Sequence, residues 1–178
     1  MRRPVTIAIM IAIATVFAVG LSPRDAAATP KRTGKGGDLG LGGVLGNPTG
    51  ITFKAFLHPR HALESTAGFG PFHRGAARVH LAYLFHSRAW ADGDGFSLHG
   101  YVGLGPGVAF WHKRYIGFAA PGEFKRVALF VRAPVLGLAF HMQEIPLDVF
   151  IETAYAPIVT PPLTFWNVDF ALGARYWF

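Results

Sequence analysis

The sequence predicts an all-β fold: an eight-stranded antiparallel up-and-down transmembrane β-barrel with a lumen filled by side chains. Three observations predict it. The 178-residue chain is 51% hydrophobic and 14% aromatic but only 15% charged, which excludes an intrinsically disordered protein. Beyond the N-terminal segment, no run of about 20 residues is apolar enough to cross a membrane as a helix. Apolar and polar residues instead alternate with a period of two, which is typical of β-strands.

The first part of the chain has the pattern of a secretory signal peptide. A pair of arginines precedes the uncharged apolar run Val5–Gly20, and the small residues Ala26–Ala28 follow. We expect residues 1–28 to be the signal peptide, because an apolar run of about 16 residues is short for a membrane anchor. Its removal takes away three arginines and one aspartate and lowers the net charge from +7 to +5. We interpret residues 29–37 as a flexible lead-in and residues 38–178 as the barrel.

Eight segments of the remaining chain alternate between apolar residues and polar or small residues. The predicted strands are the glycine-rich 38–45, followed by 51–57, 63–69, 78–86, 96–104, 126–133, 147–155 and 166–178. Turn-forming residues such as Asn47–Gly50 and Asp92–Gly95 separate them. Roughly 19 residues for each strand and its connection suit membrane strands of about 9–11 residues. A channel of about 16 strands would need a chain roughly twice as long.

Charged residues in the seven segments after the glycine-rich one all share the parity of the polar residues. In a narrow barrel this parity points into the lumen, where charges must pair because an isolated buried charge is costly. We therefore predict a lumen charge network of five basic and four acidic side chains. Its members are Lys54, Glu64, Arg78, Arg126, Arg132, Asp148, Glu152, Asp169 and Arg175.

Alternation alone does not separate a membrane barrel from a soluble sandwich or a soluble lipocalin-like barrel, which also alternate with the apolar face turned inward. Two features favour the membrane barrel. The apolar face continues over all eight segments, and aromatic residues gather near strand ends, as in the girdles of outer-membrane barrels. Those aromatic residues are Phe85, Phe110, Trp111, Tyr155, Trp166, Tyr176 and Phe178.

Four segments spread over nearly the whole barrel region carry a resemblance to a known family. They are Leu41–Gly50, His80–His86, Pro146–Glu152 and Gly173–Phe178. Together they resemble a family of small, mostly uncharacterised bacterial outer-membrane β-barrels, similar in architecture to the OmpA and OmpX transmembrane barrels. The resemblance implies the fold and a location in the outer membrane of a Gram-negative bacterium, and it implies no catalytic residues.

The final predicted strand resembles the C-terminal assembly signal of outer-membrane barrels. Its outward residues are Phe170, Leu172, Ala174, Tyr176 and Phe178. The resemblance implies that the barrel-assembly machinery is a partner during biogenesis.

Catalysis has little support in the sequence. Some eight-stranded barrels modify lipids, and one lipid A deacylase uses serine, histidine and an acidic residue. Beyond the signal peptide the chain has only Ser65, Ser87 and Ser97, and the deacylase's His-x-Ser-Asn run is absent. Ser65 is predicted to face lipid, and adjacent residues such as His86 and Ser87 point to opposite faces of a strand. We therefore expect no enzyme.

Metal and cofactor sites also have little support. The chain has no cysteine, which excludes disulfides, thiolate catalysis and cysteine zinc sites. His80, His86 and His99 could converge in the lumen as metal ligands, but no acidic partner stands at ligand spacing. We interpret them as polar filling of the lumen and expect no cofactor.

Connections 46–50, 70–77, 111–124 and 157–163 are predicted to lie on the extracellular side. Two of them are basic, so they could meet lipopolysaccharide phosphates or another polyanion, although ordinary solvated charge is the simpler interpretation. These candidate surface-loop contacts are His73, Arg74, His112, Lys113, Arg114 and Tyr115.

The predicted function is a structural or surface-interaction role without an open pore. Expected partners are outer-membrane lipid, lipopolysaccharide and an extracellular ligand, with no nucleic acid, and we expect a monomer. Two alternatives stay open: a narrow channel or small-molecule carrier, and a lipid-modifying enzyme.

Overall fold

A computed structural model describes residues 35–70, 76–110, 127–160, 163 and 165–178. These residues form eight antiparallel strands, each hydrogen-bonded to the next along the chain. The strands are β1 (Leu39–Gly46), β2 (Thr49–His58), β3 (His61–Gly70), β4 (Ala76–Gly93), β5 (Phe96–Phe110), β6 (Val127–Met142), β7 (Leu147–Tyr155) and β8 (Val168–Trp177). The predicted signal peptide and most of the lead-in lie outside the described residues.

Strands β8 and β1 pair from Gly40 opposite Trp177 to Gly46 opposite Ala171, and this pairing closes the barrel. Closure gives every strand two neighbours and removes the unpaired sheet edges. The prediction of an eight-stranded, closed, antiparallel barrel is therefore confirmed. In the described part of the chain, no helix is long and apolar enough to cross a membrane.

The barrel has two distinct ends. The chain enters β1 and leaves β8 at the end that we call the terminal end, where turns 59–60, 94–95 and 143–146 also join strands. The opposite end, which we call the loop end, contains the turn 47–48 and the connection 156–167. Successive connections alternate between the two ends because every strand reverses the direction of the one before it.

Three neighbouring strands, β4, β5 and β6, extend well beyond their predicted ends. In β6, Gly103 pairs with Val135 but Gly105 pairs with Arg132, so the two residues Ala133 and Pro134 share one position of the ladder. Proline has no backbone N–H to donate to a ladder, and this two-against-one arrangement is a β-bulge. The bulge shifts the inward parity by one residue. A strand predicted from strict alternation therefore ended at Ala133, whereas the real strand continues for nine residues.

The extension of β4 also changes one predicted girdle position. Phe85 was expected near a strand end, but β4 continues to Gly93, with irregular pairing to β5 beyond His86. The prediction that Phe85 marks the strand end is wrong, because alternation becomes hard to recognise once the register shifts.

Inward glycines lie directly opposite inward aromatic residues on neighbouring strands. In each pair, an ideal Cβ on the glycine would come within 3.0 Å of the ring. The pairs are Gly40 with Trp177, Gly107 with Phe130, Gly137 with Tyr101 and Gly173 with Phe150. The missing side chains make room for these large rings in a narrow interior.

Candidate functional site: the polar interior

Eight of the nine predicted lumen charges are described, and each is at most 3% exposed. They comprise four basic side chains, Lys54, Arg78, Arg132 and Arg175, and four acidic ones, Glu64, Asp148, Glu152 and Asp169. The ninth, Arg126, lies outside the described residues. The described part of the interior is therefore balanced in formal charge, as pairing of buried charges requires.

Asp169 is the centre of one group of ion pairs. The Arg78 guanidinium binds both of its carboxylate oxygens, with Nη1–Oδ1 at 2.7 Å and Nη2–Oδ2 at 3.0 Å. Arg132 places Nε 3.4 Å from Oδ2, and Asn47 donates from Nδ2 to Oδ1 at 2.8 Å. Arg78 lies on β4 and Asp169 on β8, which are not neighbouring strands, so the contact crosses the interior.

Glu152 links this group to the middle of the barrel. Arg132 donates from Nη2 to Oε1 of Glu152 at 2.6 Å, and the Tyr101 hydroxyl donates to Oε2 at 3.0 Å. Arg132 also donates from Nη1 to Nε2 of His80 at 2.7 Å, so this ring nitrogen must be the acceptor. The two carboxylates and two arginines therefore form a continuous chain of ion pairs.

Arg175 forms the second group of contacts. It donates from Nη2 to Oε2 of Glu64 at 2.5 Å and to the Thr52 hydroxyl at 3.1 Å. Its guanidinium carbon lies 3.7 Å from the centroid of the Phe150 ring, within the range of cation–π attraction. We call Arg78, Arg132, Arg175, Glu64, Glu152 and Asp169 the arginine network.

Lys54 is fully buried but is stabilised differently from the arginines. Its ammonium nitrogen lies 4.6 Å from the Tyr101 ring centroid and 5.6 Å from that of Phe56. Among the described residues this nitrogen has no hydrogen-bond partner, although Glu64 is the residue directly opposite on β3. Attraction to aromatic faces and to nearby carboxylates keeps this charge in the interior.

The interior near the terminal end also contains a group of histidines. His99 and His141 have ring centroids 5.0 Å apart, and Nδ1 of His141 lies 3.5 Å from Oδ2 of Asp148. His86 packs between Phe56 and Tyr101, at centroid distances of 5.0 and 5.1 Å. We call His86, His99, His141 and Asp148 the histidine cluster.

The histidine cluster was not predicted as a unit. The sequence indicated His86 and His99 but not His141, because strict alternation from Arg132 assigns residue 141 to the outer face. His141 is only 2% exposed, since the β6 bulge shifts the parity before it. The recognisable signal was Pro134 inside an apolar run, because proline in a strand marks a bulge or an edge.

The cluster does not have the geometry of a serine hydrolase. The Ser97 hydroxyl lies 3.2 Å from Nε2 of His99, but the carboxylate of the cluster, Asp148, contacts His141 instead. A triad requires one histidine that contacts both the nucleophile and the acid. Ser97 is also fully buried, so a substrate would have no access to its oxygen.

The other two serines are engaged elsewhere. The Ser87 hydroxyl donates to the carbonyl of Arg88 at 2.7 Å and accepts from the backbone N–H of Gly100 at 3.0 Å. Ser65 lies on the outward parity of β3, as predicted, and is half-buried. His80 lies beside Arg132, apart from the histidine cluster. Among the described residues, no three acidic or histidine side chains are placed to hold one metal ion.

The residues of the predicted assembly signal lie on the outer face of β8. The four large residues, which are 46–67% exposed, are Phe170, Leu172, Tyr176 and Phe178. Ala174 is half-buried. The candidate surface-loop contacts His73, Arg74, His112, Lys113, Arg114 and Tyr115 all lie outside the described residues. Comparisons of the chain with protein-family models, curated proteins and solved structures found no match.

Proposed function

We propose that the protein is a small bacterial outer-membrane β-barrel with a structural or surface-interaction role and a closed lumen. One observation carries the proposal: the barrel is charged inside and apolar outside. Lys54, Asp169 and Arg175 are fully buried, whereas Leu45 and Ile51 on the outer face are 66% and 65% exposed. A soluble barrel has the opposite arrangement, with apolar residues inside and polar residues in water.

The position of the remaining charges supports the same proposal. Every charged side chain of the described residues lies either in the interior or near the terminal end. Those near the terminal end are Lys35, Asp38, Arg60, Arg88, Asp92, Asp94 and Glu144. Between the two ends, the described outer face carries no charge and forms an apolar belt that includes a few uncharged polar residues such as Ser65 and Thr153. Exposing apolar surface to water costs about 25 cal/mol per Å², so a belt around the whole barrel would be strongly unfavourable in water. In membrane barrels, lipid covers a surface of this kind.

The contents of the interior support the closed lumen. The arginine network joins β3, β4, β6, β7 and β8 across the barrel, and the histidine cluster with Phe56 and Trp177 fills the space nearer the terminal end. Eight-stranded barrels have interiors that side chains fill. The proposed partners follow from location: outer-membrane lipid, lipopolysaccharide and, during biogenesis, the barrel-assembly machinery acting on the exposed face of β8.

Heat-modifiable mobility in isolated outer membranes tests the proposal. We expect the full chain, expressed in a Gram-negative host, to migrate in SDS as a compact band that shifts when boiled, because a closed membrane barrel resists SDS until heated. Recovery of the protein in the soluble periplasmic fraction, with no heat-dependent shift, would refute it. Planar-bilayer conductance tests the closed lumen separately, and steady conductance well above background would show an open pore.

A further inference from the structure

The described outer face of the barrel carries an apolar groove beside the bulge of β6. The groove is open to the outside and has a volume of about 510 Å³ between β4, β5 and β6. Its lining is Tyr83, Phe85, Val102, Gly103, Leu104, Ala133 and Pro134. A flexible apolar chain that lies in such a groove makes more van der Waals contacts with the protein than it would on a smooth part of the outer face.

The bulge and one small residue explain why the groove exists. Ala133 and Pro134 together face Leu104, so the β6 backbone departs from the regular pleat there. Ala133 has only a methyl group to fill the space. The large residues Tyr83 and Phe85 on β4 form the opposite wall and are 45% and 37% exposed.

A basic cluster adjoins the terminal end of the groove. The Arg60 guanidinium carbon lies 4.5 Å from the Phe85 ring centroid, and Nε donates to the carbonyl of His86 at 3.1 Å. Nδ1 of His61 lies 2.6 Å from the Tyr83 hydroxyl oxygen, and its ring packs against that of His58. Phe85 and Tyr83 therefore contact both the groove and the cluster, and the two features form one continuous surface.

The Arg60 guanidinium has remaining capacity to bind an anion. Its single hydrogen bond uses one of five N–H donors, and among the described residues it forms no ion pair. The contact with Phe85 and the bond to the His86 carbonyl hold the planar group in place. A fixed guanidinium with free donors is well suited to a phosphate.

We propose that this surface binds one phospholipid from the membrane leaflet at the terminal end of the barrel. Arg60 binds the lipid phosphate, with His58 and His61 beside it, and one acyl chain lies in the groove between Phe85 and Pro134. This inference rests on the proposed membrane location. Charge and shape both lead to this occupant. The cationic Arg60 lies at the proposed membrane boundary, and the apolar groove continues from it toward the middle of the barrel.

Native mass spectrometry of the detergent-extracted barrel tests the inference. The full-length protein is reconstituted in phosphatidylcholine vesicles with a minor fraction of phosphatidylglycerol, extracted in mild detergent, and analysed for retained lipid. We expect one phospholipid per barrel, phosphatidylglycerol or phosphatidylcholine, because both carry the phosphate that Arg60 is proposed to bind. Diacylglycerol with the same acyl chains lacks the phosphate, and we expect none of it to be retained.

Two variants and one matched control locate the site. Val102→Trp fills the groove and should abolish retention, whereas Val127→Trp alters an outward valine of equal exposure, 43%, outside the groove and should not. Arg60→Gln should weaken retention about tenfold, because a charge-assisted hydrogen bond is lost. Equal retention by the two tryptophan variants, or of diacylglycerol and phosphatidylglycerol, would overturn the inference.

Heat-modifiable mobility of the same samples separates this inference from the proposed function. A heat-modifiable barrel that retains no lipid would overturn the lipid site alone. A barrel that is not heat-modifiable would overturn both.

Discussion

The interior and the outer face use alternate residues of the same eight strands, yet they are specified in different ways. Inside, residues on different strands are matched to particular partners: Asp169 binds Arg78, Glu64 binds Arg175, and Gly173 faces Phe150. Outside, the residues share only apolar character. The difference indicates that the interior contacts specify how the strands pair, whereas the outer face specifies whether the barrel is stable in lipid or in water. Substitutions on the two faces should therefore fail for different reasons.

The largest expected effect is in the interior. Asp169→Ala removes the acid that binds Arg78 and contacts Arg132, leaving the buried Arg78 guanidinium without its carboxylate and Arg132 with Glu152 alone of its two acids. We expect a loss of about 3–5 kcal/mol in the free energy of unfolding, measured by urea titration of the barrel folded in phosphatidylcholine vesicles. Asp94→Ala, which alters an exposed acid in a turn, should change it by less than about 0.5 kcal/mol. Equal effects of the two variants would contradict the arginine network as a source of stability.

The alternation that separates the two faces was visible in the sequence, because a period of two encodes the face directly. It placed Lys54, Glu64 and Asp169 on the inner parity without knowledge of any partner. The alternation could not predict two features of the barrel. The bulge at Pro134 reversed the parity of β6, and the pairing of inward glycines with aromatic rings depends on strand register, which links residues far apart in the chain.

The next largest effect is expected on the outer face. Leu172→Arg puts a charge at the middle of β8, where we propose that lipid is deepest, and should destabilise the folded barrel by about 2–4 kcal/mol in the same titration. Leu57→Arg is the matched control, because Leu57 has similar exposure, 51% against 46%, but lies one residue from the terminal end of β2. Its effect should be about 0–1 kcal/mol. Near-neutral results for both would indicate an outer face in water.

The smallest effect compares two glycines on opposite faces. An ideal Cβ on Gly173 would lie 2.4 Å from the Phe150 ring, whereas a Cβ on the outward Gly43 would meet only one carbonyl oxygen at 3.9 Å. Gly173→Ala must displace the ring and should cost about 1–3 kcal/mol. Gly43→Ala should leave stability unchanged or raise it by about 0.4–1 kcal/mol, because the unfolded chain loses freedom. A reversed order in thermal unfolding would contradict the glycine–aromatic pairing.

The central claim, that the apolar outer face lies in lipid, can be tested directly because the chain contains no cysteine. A single cysteine at Leu172 or Ile51 reports on the outer belt, and one at Asp94 reports on the terminal end. Nitroxide spin labels at these sites, in vesicles containing the folded barrel, can be probed with oxygen, which concentrates in lipid, and with a nickel chelate, which stays in water. We predict that oxygen relaxes the labels at residues 172 and 51 and the nickel chelate relaxes the label at residue 94. Strong relaxation of all three labels by the nickel chelate would contradict the account.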